Sequence, residues 1–133
     1  MTDIHPQLRN DCVLLGRLPL CHLLLMNDCH YPWFILVPAR AEIREIYELG
    51  PADRRRLLDE SCLLSEFLME AYAGEKLNVA ALGNHVAQLH VHVIARFRED
   101  EAWPGPVWGA TPRKAYVPDE RMELLEKLAD GLA

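Results

Sequence analysis

Two histidines one residue apart, His90 and His92, stand in the stretch Gln88-Leu89-His90-Val91-His92-Val93, which alternates polar and apolar side chains, with Arg96 close behind. Successive side chains on a β-strand point to opposite faces. The spacing therefore predicts Gln88, His90 and His92 on one face and Leu89, Val91 and Val93 on the other, toward a core. A neutral imidazole is a good nucleophile near neutral pH and, once protonated, a good leaving group from phosphorus. Held by a hydrogen bond at one ring nitrogen, it can attack with the other; the same bond fixes the tautomer and stabilises the cation that forms. A second imidazole two residues on can donate to phosphate oxygens or to the leaving group, support worth ~3 kcal/mol per donor.

His-x-His on a strand is also a common metal-ligand pair. A cupin-like site would need a Glu a few residues on and a later Gly and His. Glu99 lies too far along, and the later pair is missing. The bland alternative is a polar sheet face that happens to carry histidines. His5, His22 and His30 have no patterned company, with His30 a candidate for a pocket wall, and His85 reads as a solvent residue.

The elements that must position these residues can be read along the chain. Cys12–Leu18 and Leu20–Met26 flank Pro19 and predict two strands joined by a tight turn. Trp33–Val37 predicts a third strand closed by Pro38, and Glu42–Leu49 a helical turn or ordered loop. Gly50-Pro51 opens a long helix to about Ala73, since proline fits a helix's first turn, and Gly74 is a stop. Leu57, Leu64, Leu68 and Ala71 give that helix a face to bury, widened by Leu58, Cys62, Phe67 and Met69. Leu77–Leu82 and Ala87–Phe97 read as the fourth and fifth strands, with a hairpin turn at Gly83-Asn84. Residues 98–117 are irregular, with Trp103 and Trp108 as core, interface or site-covering residues. Pro118 opens a last helix with Met122, Leu125 and Ala129 on one side and Leu124, Leu128 and Leu132 broadening it. This order predicts an α+β antiparallel sheet rather than a βαβ fold.

With 133 residues, 50% of them hydrophobic and 26% charged, the chain is expected to form one domain over 1–133. No apolar run is long enough to span a membrane, and the N-terminus lacks the character of a secretion signal, so the expected location is the cytoplasm. A net charge of −6 argues against nucleic acid as a partner, which needs a basic face. A small phosphate ligand needs only a local positive field, for which Arg40, Arg44, Arg96, Arg98 and the histidines are candidates. Arg54-Arg55-Arg56, flanked by acidic residues, reads as a solvated helix face. Cys12, Cys21, Cys29 and Cys62 read as buried free thiols rather than disulfides.

The stretch Gly83-Asn84-His85-Val86-Ala87-Gln88-Leu89-His90-Val91-His92-Val93-Ile94 resembles the signature of the histidine triad (HIT) superfamily, G-x-x-V-x-H-x-H-x-H followed by two apolar residues. Residues 23–28 and 32–38 resemble the family's nucleoside-binding strands, so that the resemblance covers roughly residues 12 to 98. It implies a five-stranded antiparallel sheet with one long helix and a C-terminal helix. It further implies a nucleotide hydrolase or nucleotidyl transferase. His90 would attack the α-phosphate of a nucleoside phosphoramidate or dinucleoside polyphosphate and carry the nucleotidyl group, while His92 contacts the phosphate or assists the leaving group. Asn84 and Asn78 would hold phosphate oxygens, Asn27 or Asp28 would bind ribose hydroxyls, and many members are homodimers joined edge to edge. No cofactor is required, although Mg²⁺ can accompany a polyphosphate. The chain departs from the signature at Gln88, where the first histidine is expected; there the backbone carbonyl orients the nucleophile, and Gln can supply it. A bacterial branch with Gln-Leu-His-Val-His and a later Trp-Pro segment is similar. A second departure is the short connection from Asp28 to Trp33, which would narrow the nucleoside pocket. The alternative implied function is a nucleotide-binding or sensing module without catalysis.

Overall fold

The continuous apolar runs in the first half of the chain form strands covered on both faces. The computed structural model describes residues 3–132. A short helix α1 (Pro6–Asp11) leads into β1 (Cys12–Arg17), β2 (Cys21–Met26) and β3 (Trp33–Pro38). A 3-10 turn (Ile46–Glu48) precedes the long helix α2 (Pro51–Tyr72); β4 (Lys76–Ala80), β5 (Val91–Arg96) and α3 (Pro118–Leu132) follow. The five strands form one sheet in the order β1-β2-β3-β5-β4, every neighbouring pair antiparallel. This is the α+β arrangement expected from the sequence.

The sheet separates two cores. On one face Leu23, Leu25, Phe34, Leu36, Leu89, Val91 and Val93 pack with Leu57, Leu64 and Leu68 of α2 and Leu124 and Leu128 of α3. On the other face Leu24, Trp33, Ile35 and Ile94 pack with Ile4 and Leu8 of the N-terminal arm and with Val86 and Val107. Strands sandwiched in this way bury both sets of alternate side chains, which is why β2 and β3 read as unbroken apolar runs.

Local chemistry sets the element ends. Pro51 lies in the first turn of α2, and Ala73, with φ 53° and ψ 43°, caps its end in the left-handed conformation, one residue before the expected Gly74. The turn after β1 is held from the helix side. The Glu60 carboxylate, buried on α2, accepts the N–H groups of Leu20 at 2.8 Å and Cys21 at 2.9 Å. A Cβ at Gly131 would sit 2.4 Å from Phe67 Cδ1, so the end of α3 approaches α2 where only glycine fits.

Several expectations are corrected. Helix α1 was not foreseen. The apolar faces of α2 and α3 are narrower than the composition suggested: Leu58 is 64% and Met122 58% exposed, because one sheet face covers only one stripe of each helix. Cys21 alone of the cysteines is buried; Cys62 is exposed and Cys12 and Cys29 are half-buried, all four being free. In place of a tight hairpin, residues 81–90 form a longer connection, and β5 begins only at Val91. Among the described residues no helix is long and apolar enough to cross a membrane.

Candidate active site

His92 lies within β5 and His90 immediately before it, their rings 5.0 Å apart and nearly perpendicular. Both are buried, at 6% and 4% exposure, yet both line a cleft of about 770 Å³. The lining comprises His5, Gln7, Leu8 and Asp11 at α1, the 82–86 connection, and Met26, Trp33 and Trp108. Gly83, at φ 83°, lets that connection turn back along the cleft in a conformation other residues rarely adopt.

The proton positions on the two rings follow from their partners. His90 Nδ1 lies 2.7 Å from the carbonyl oxygen of Gln88. A carbonyl only accepts, so Nδ1 carries the hydrogen and Nε2 of the neutral ring is left with its lone pair. His92 has the opposite tautomer. The indole N–H of Trp33 donates to its Nδ1 at 3.0 Å, leaving the hydrogen on Nε2. Burial, and secondly the neighbouring His90, push the His92 pKa down to about 3 from the ordinary 6.5, so this ring stays neutral near pH 7. Trp108 stands edge-on to His92 with centroids 5.1 Å apart, and edge-on to Trp33 at 5.8 Å. The cleft therefore offers an imidazole lone pair beside a neutral imidazole N–H, the pair needed to attack an electrophile and hold the oxygens around it.

The expected residues divide. His90, His92 and Asn84 meet at the cleft. Gln88 contributes its backbone, but its side chain does not join the imidazoles, because the chain bends there before the strand begins. It pairs with the N-terminal arm, accepting from His5 N and donating to Asp3 O, both at 2.8 Å. Asn78 is not a cleft residue: from β4 it accepts from Arg96 Nη1 at 2.7 Å. Asn27 and Asp28 likewise face elsewhere. Asn27 Oδ1 accepts from Tyr116 N at 3.0 Å, while buried Asp28 binds the His30 N–H and lies 2.7 Å from the His30 ring, so His30 is committed there as well. None of the four arginines expected to supply a local field lines the cleft; the arginine that reaches its wall is Arg113, with Nη1 2.8 Å from Asp11 Oδ1. Arg96 is buried and bidentate to Asp100, Arg40 pairs with Asp53, and Arg98 with Glu75. His85 lines the cleft while remaining exposed.

Trp33, in the sequence only the start of the third strand, and His5, which has no patterned company there, both line the cleft. Register was the signal for Trp33: Trp33 pairs with Ile94 and Ile35 with His92, placing the indole diagonally across from His92 on one face. For His5 the signal was His5-Pro6 itself, a helix start, since His5 Nδ1 accepts from Gln7 N at 3.0 Å.

Residues 7–99 match the HIT domain, and the chain belongs to that family. It is similar to a histidine triad protein from Marinobacter aquaeolei VT8 at 50% identity and a TM-score of 0.96, covering 99% of this chain and 96% of that one. A histidine triad (HIT) protein from Sinorhizobium meliloti 1021 is 42% identical with a TM-score of 0.95, over 98% and 96% of the two chains. One from Bradyrhizobium japonicum is 39% identical with a TM-score of 0.97, over 99% and 98%. No curated protein matched the chain.

Proposed function

We propose that this chain hydrolyses or transfers a nucleoside monophosphate, acting at the α-phosphate of a nucleoside phosphoramidate or dinucleoside polyphosphate. The His90 Nε2 lone pair forms a bond to phosphorus as the bond to the amine or polyphosphate leaving group breaks. His92 holds a phosphate oxygen with its Nε2–H, and Asn84 offers a further polar group from the 82–86 connection. The phosphorylated ring is a cation whose Nδ1–H remains on the Gln88 carbonyl, which stabilises it. Water then attacks phosphorus and gives up a proton to solvent, the N–P bond breaks with its electron pair returning to Nε2, and the nucleotide leaves with His90 neutral again. This chemistry calls on no cofactor.

The observation that carries the reading is the 2.7 Å contact between Gln88 O and His90 Nδ1, which leaves Nε2 as the unprotonated nitrogen of a ring lining the cleft. Rapid mixing with adenosine 5′-phosphoramidate followed by mass spectrometry should trap adenylyl-His90, and His90→Ala should abolish both adduct and turnover. Unchanged hydrolysis in His90→Ala would end the proposal at this residue. Binding of AMP with no turnover would instead mark a nucleotide-binding module. We further propose a cytoplasmic homodimer. β1 and β4 are the sheet edges and carry exposed Leu14 and Val79, at 59% and 53%, which pairing across a two-fold axis would cover. Sedimentation as a monomer at micromolar concentration would refute the dimer.

A further inference from the structure

Gln88 is joined to two distant parts of the cleft at once. Its main-chain oxygen orients His90. Its side-chain amide pairs with the arm on both sides of Ile4, with Oε1 accepting from His5 N and Nε2 donating to Asp3 O. These are the two bonds a neighbouring strand residue would make to an extended backbone, supplied here by a side chain from more than eighty positions away. The arm is docked beneath as well, since Ile4 and Leu8 are buried, at 5% and 4% exposure, against the sheet face that carries His92. Beyond the clasp, His5, Gln7, Leu8 and Asp11 form a wall of the cleft. His5 caps α1 through Nδ1, so its neutral ring carries its hydrogen on Nε2 and joins His85, His90 and His92 in the lining.

From this geometry we infer that Gln88 is a positioning residue, whose side chain clamps the Asp3–Asp11 arm as a wall of the nucleotide cleft and so sets affinity for the nucleotide. The inference rests on the nucleotide reading of the cleft. The amide is suited to the task. Its C=O and N–H lie side by side and match the N–H and C=O of one extended stretch. The nitrogens of an imidazole diverge across a rigid ring, so histidine at this position could satisfy one of the two arm groups but not both. The two functions of Gln88 are separable, because any residue here retains the carbonyl that holds His90.

The test compares the unmodified protein with Gln88→Ala and Gln88→His, reading AMP affinity by calorimetry, steady-state hydrolysis of adenosine 5′-phosphoramidate, and amide exchange over residues 3–11. The expected result for both variants is an AMP Kd and a KM raised about tenfold, with kcat changed by less than about threefold. Faster exchange in the arm should accompany it. A merely structural residue would lower melting temperature without splitting KM from kcat. Wild-type Kd and arm exchange in Gln88→Ala would overturn the clasp while leaving the nucleotide reading intact, as would a fall in kcat with KM unchanged. An unmodified protein that binds no AMP would overturn the nucleotide reading, and the inference with it.

Discussion

The indole N–H of Trp33 donates to His92 Nδ1 across 3.0 Å, joining β3 to β5 and fixing which nitrogen of His92 carries its proton. Trp33→Phe keeps an aromatic ring against Trp108 and deletes the donor together with part of the buried ring volume. His92 is then free to move its hydrogen to Nδ1, and Nε2 ceases to be a reliable donor to phosphate. Only the share of His92 with its hydrogen on Nε2 can then donate, so kcat should fall by about two- to tenfold, with KM changing much less. Nitrogen-15 spectra of the histidine rings would check the cause, since the variant should show a mixture of His92 tautomers. A single unchanged tautomer together with lowered kcat would remove Trp33 from this role.

The buried neutral state of His92 should make the fold sensitive to mild acid. Its pKa of about 3 lies below the ordinary 6.5. The unfolded chain therefore takes up a proton below pH 6.5, while the fold resists it until near pH 3. Stability from this group is complete above pH 6.5, falls as pH drops through that window, and levels off below about 3. At pH 5 the loss should be about 2 kcal/mol. Urea unfolding at pH 7 and at pH 5, repeated with His92→Gln, isolates this share: the variant should lose about that much less between the two. Equal losses in both proteins would show that His92 is not held neutral.

How far the sequence foretells the site depends on the kind of interaction. β2 and β3 were legible because both their faces are buried, and α2 because Gly50-Pro51 marks its start. His90 and His92 were legible as neighbours because a two-residue spacing in extended backbone puts both side chains on one face. Gln88 was not, because alternation was extended back past Val91 to where β4 offers β5 no further rungs: the last pair is Ala80 with His92. Helix α1 has six residues, too few for periodicity to register. The commitments of Asn27 and Arg96 depend on which loops close over them, and that of Asn78 on the β4–β5 register that sets it diagonally across from Arg96; nothing in the sequence around those residues states either.

Glu60 supports the turn between β1 and β2 from beneath the sheet face opposite the cleft. It is 5% exposed, and both its oxygens are used, by the N–H groups of Leu20 and Cys21. Glu60→Ala leaves two buried donors without partners, which should cost about 2–4 kcal/mol. Glu60→Gln should recover only part of that, since its amide group would present hydrogens to one of the two donors. Urea midpoints of the two variants check the ranking. Turnover measured where both remain folded should match the unmodified protein. Equal stability of all three proteins would mean that the turn does not need the carboxylate.

The Arg96–Asp100 pair fastens the cleft's outer loop to the sheet. Their side chains are 2% and 3% exposed, with Nε 2.7 Å from Oδ2. Arg96 also donates to Asn78 and to Gly105 O, and its guanidinium lies 5.8 Å from the ring of Tyr31 and 5.7 Å from that of Trp103. Burial acts to raise the Asp100 pKa, but the Arg96 hydrogen bonds, with those from Phe97 N and Trp103 N, outweigh it and hold the carboxyl below its ordinary 3.8. Stability from this group is thus present above pH 3.8 and is lost as pH falls through the lower folded value. Asp100→Asn at neutral pH would strand a buried guanidinium and should cost about 3–5 kcal/mol. The loop that Asp100 anchors runs on to Val107 and Trp108, so the same variant should raise KM where it remains folded. The double variant Arg96→Met/Asp100→Leu separates charge from packing: with no buried charge left unpaired, it should be more stable than Asp100→Asn. Should the double variant be the less stable of the two, the pair's hydrogen bonds, from Arg96 to Gly105 and Asn78 and to Asp100 from the N–H groups of Phe97, Ala102 and Trp103, rather than charge balance, would be what secures this wall.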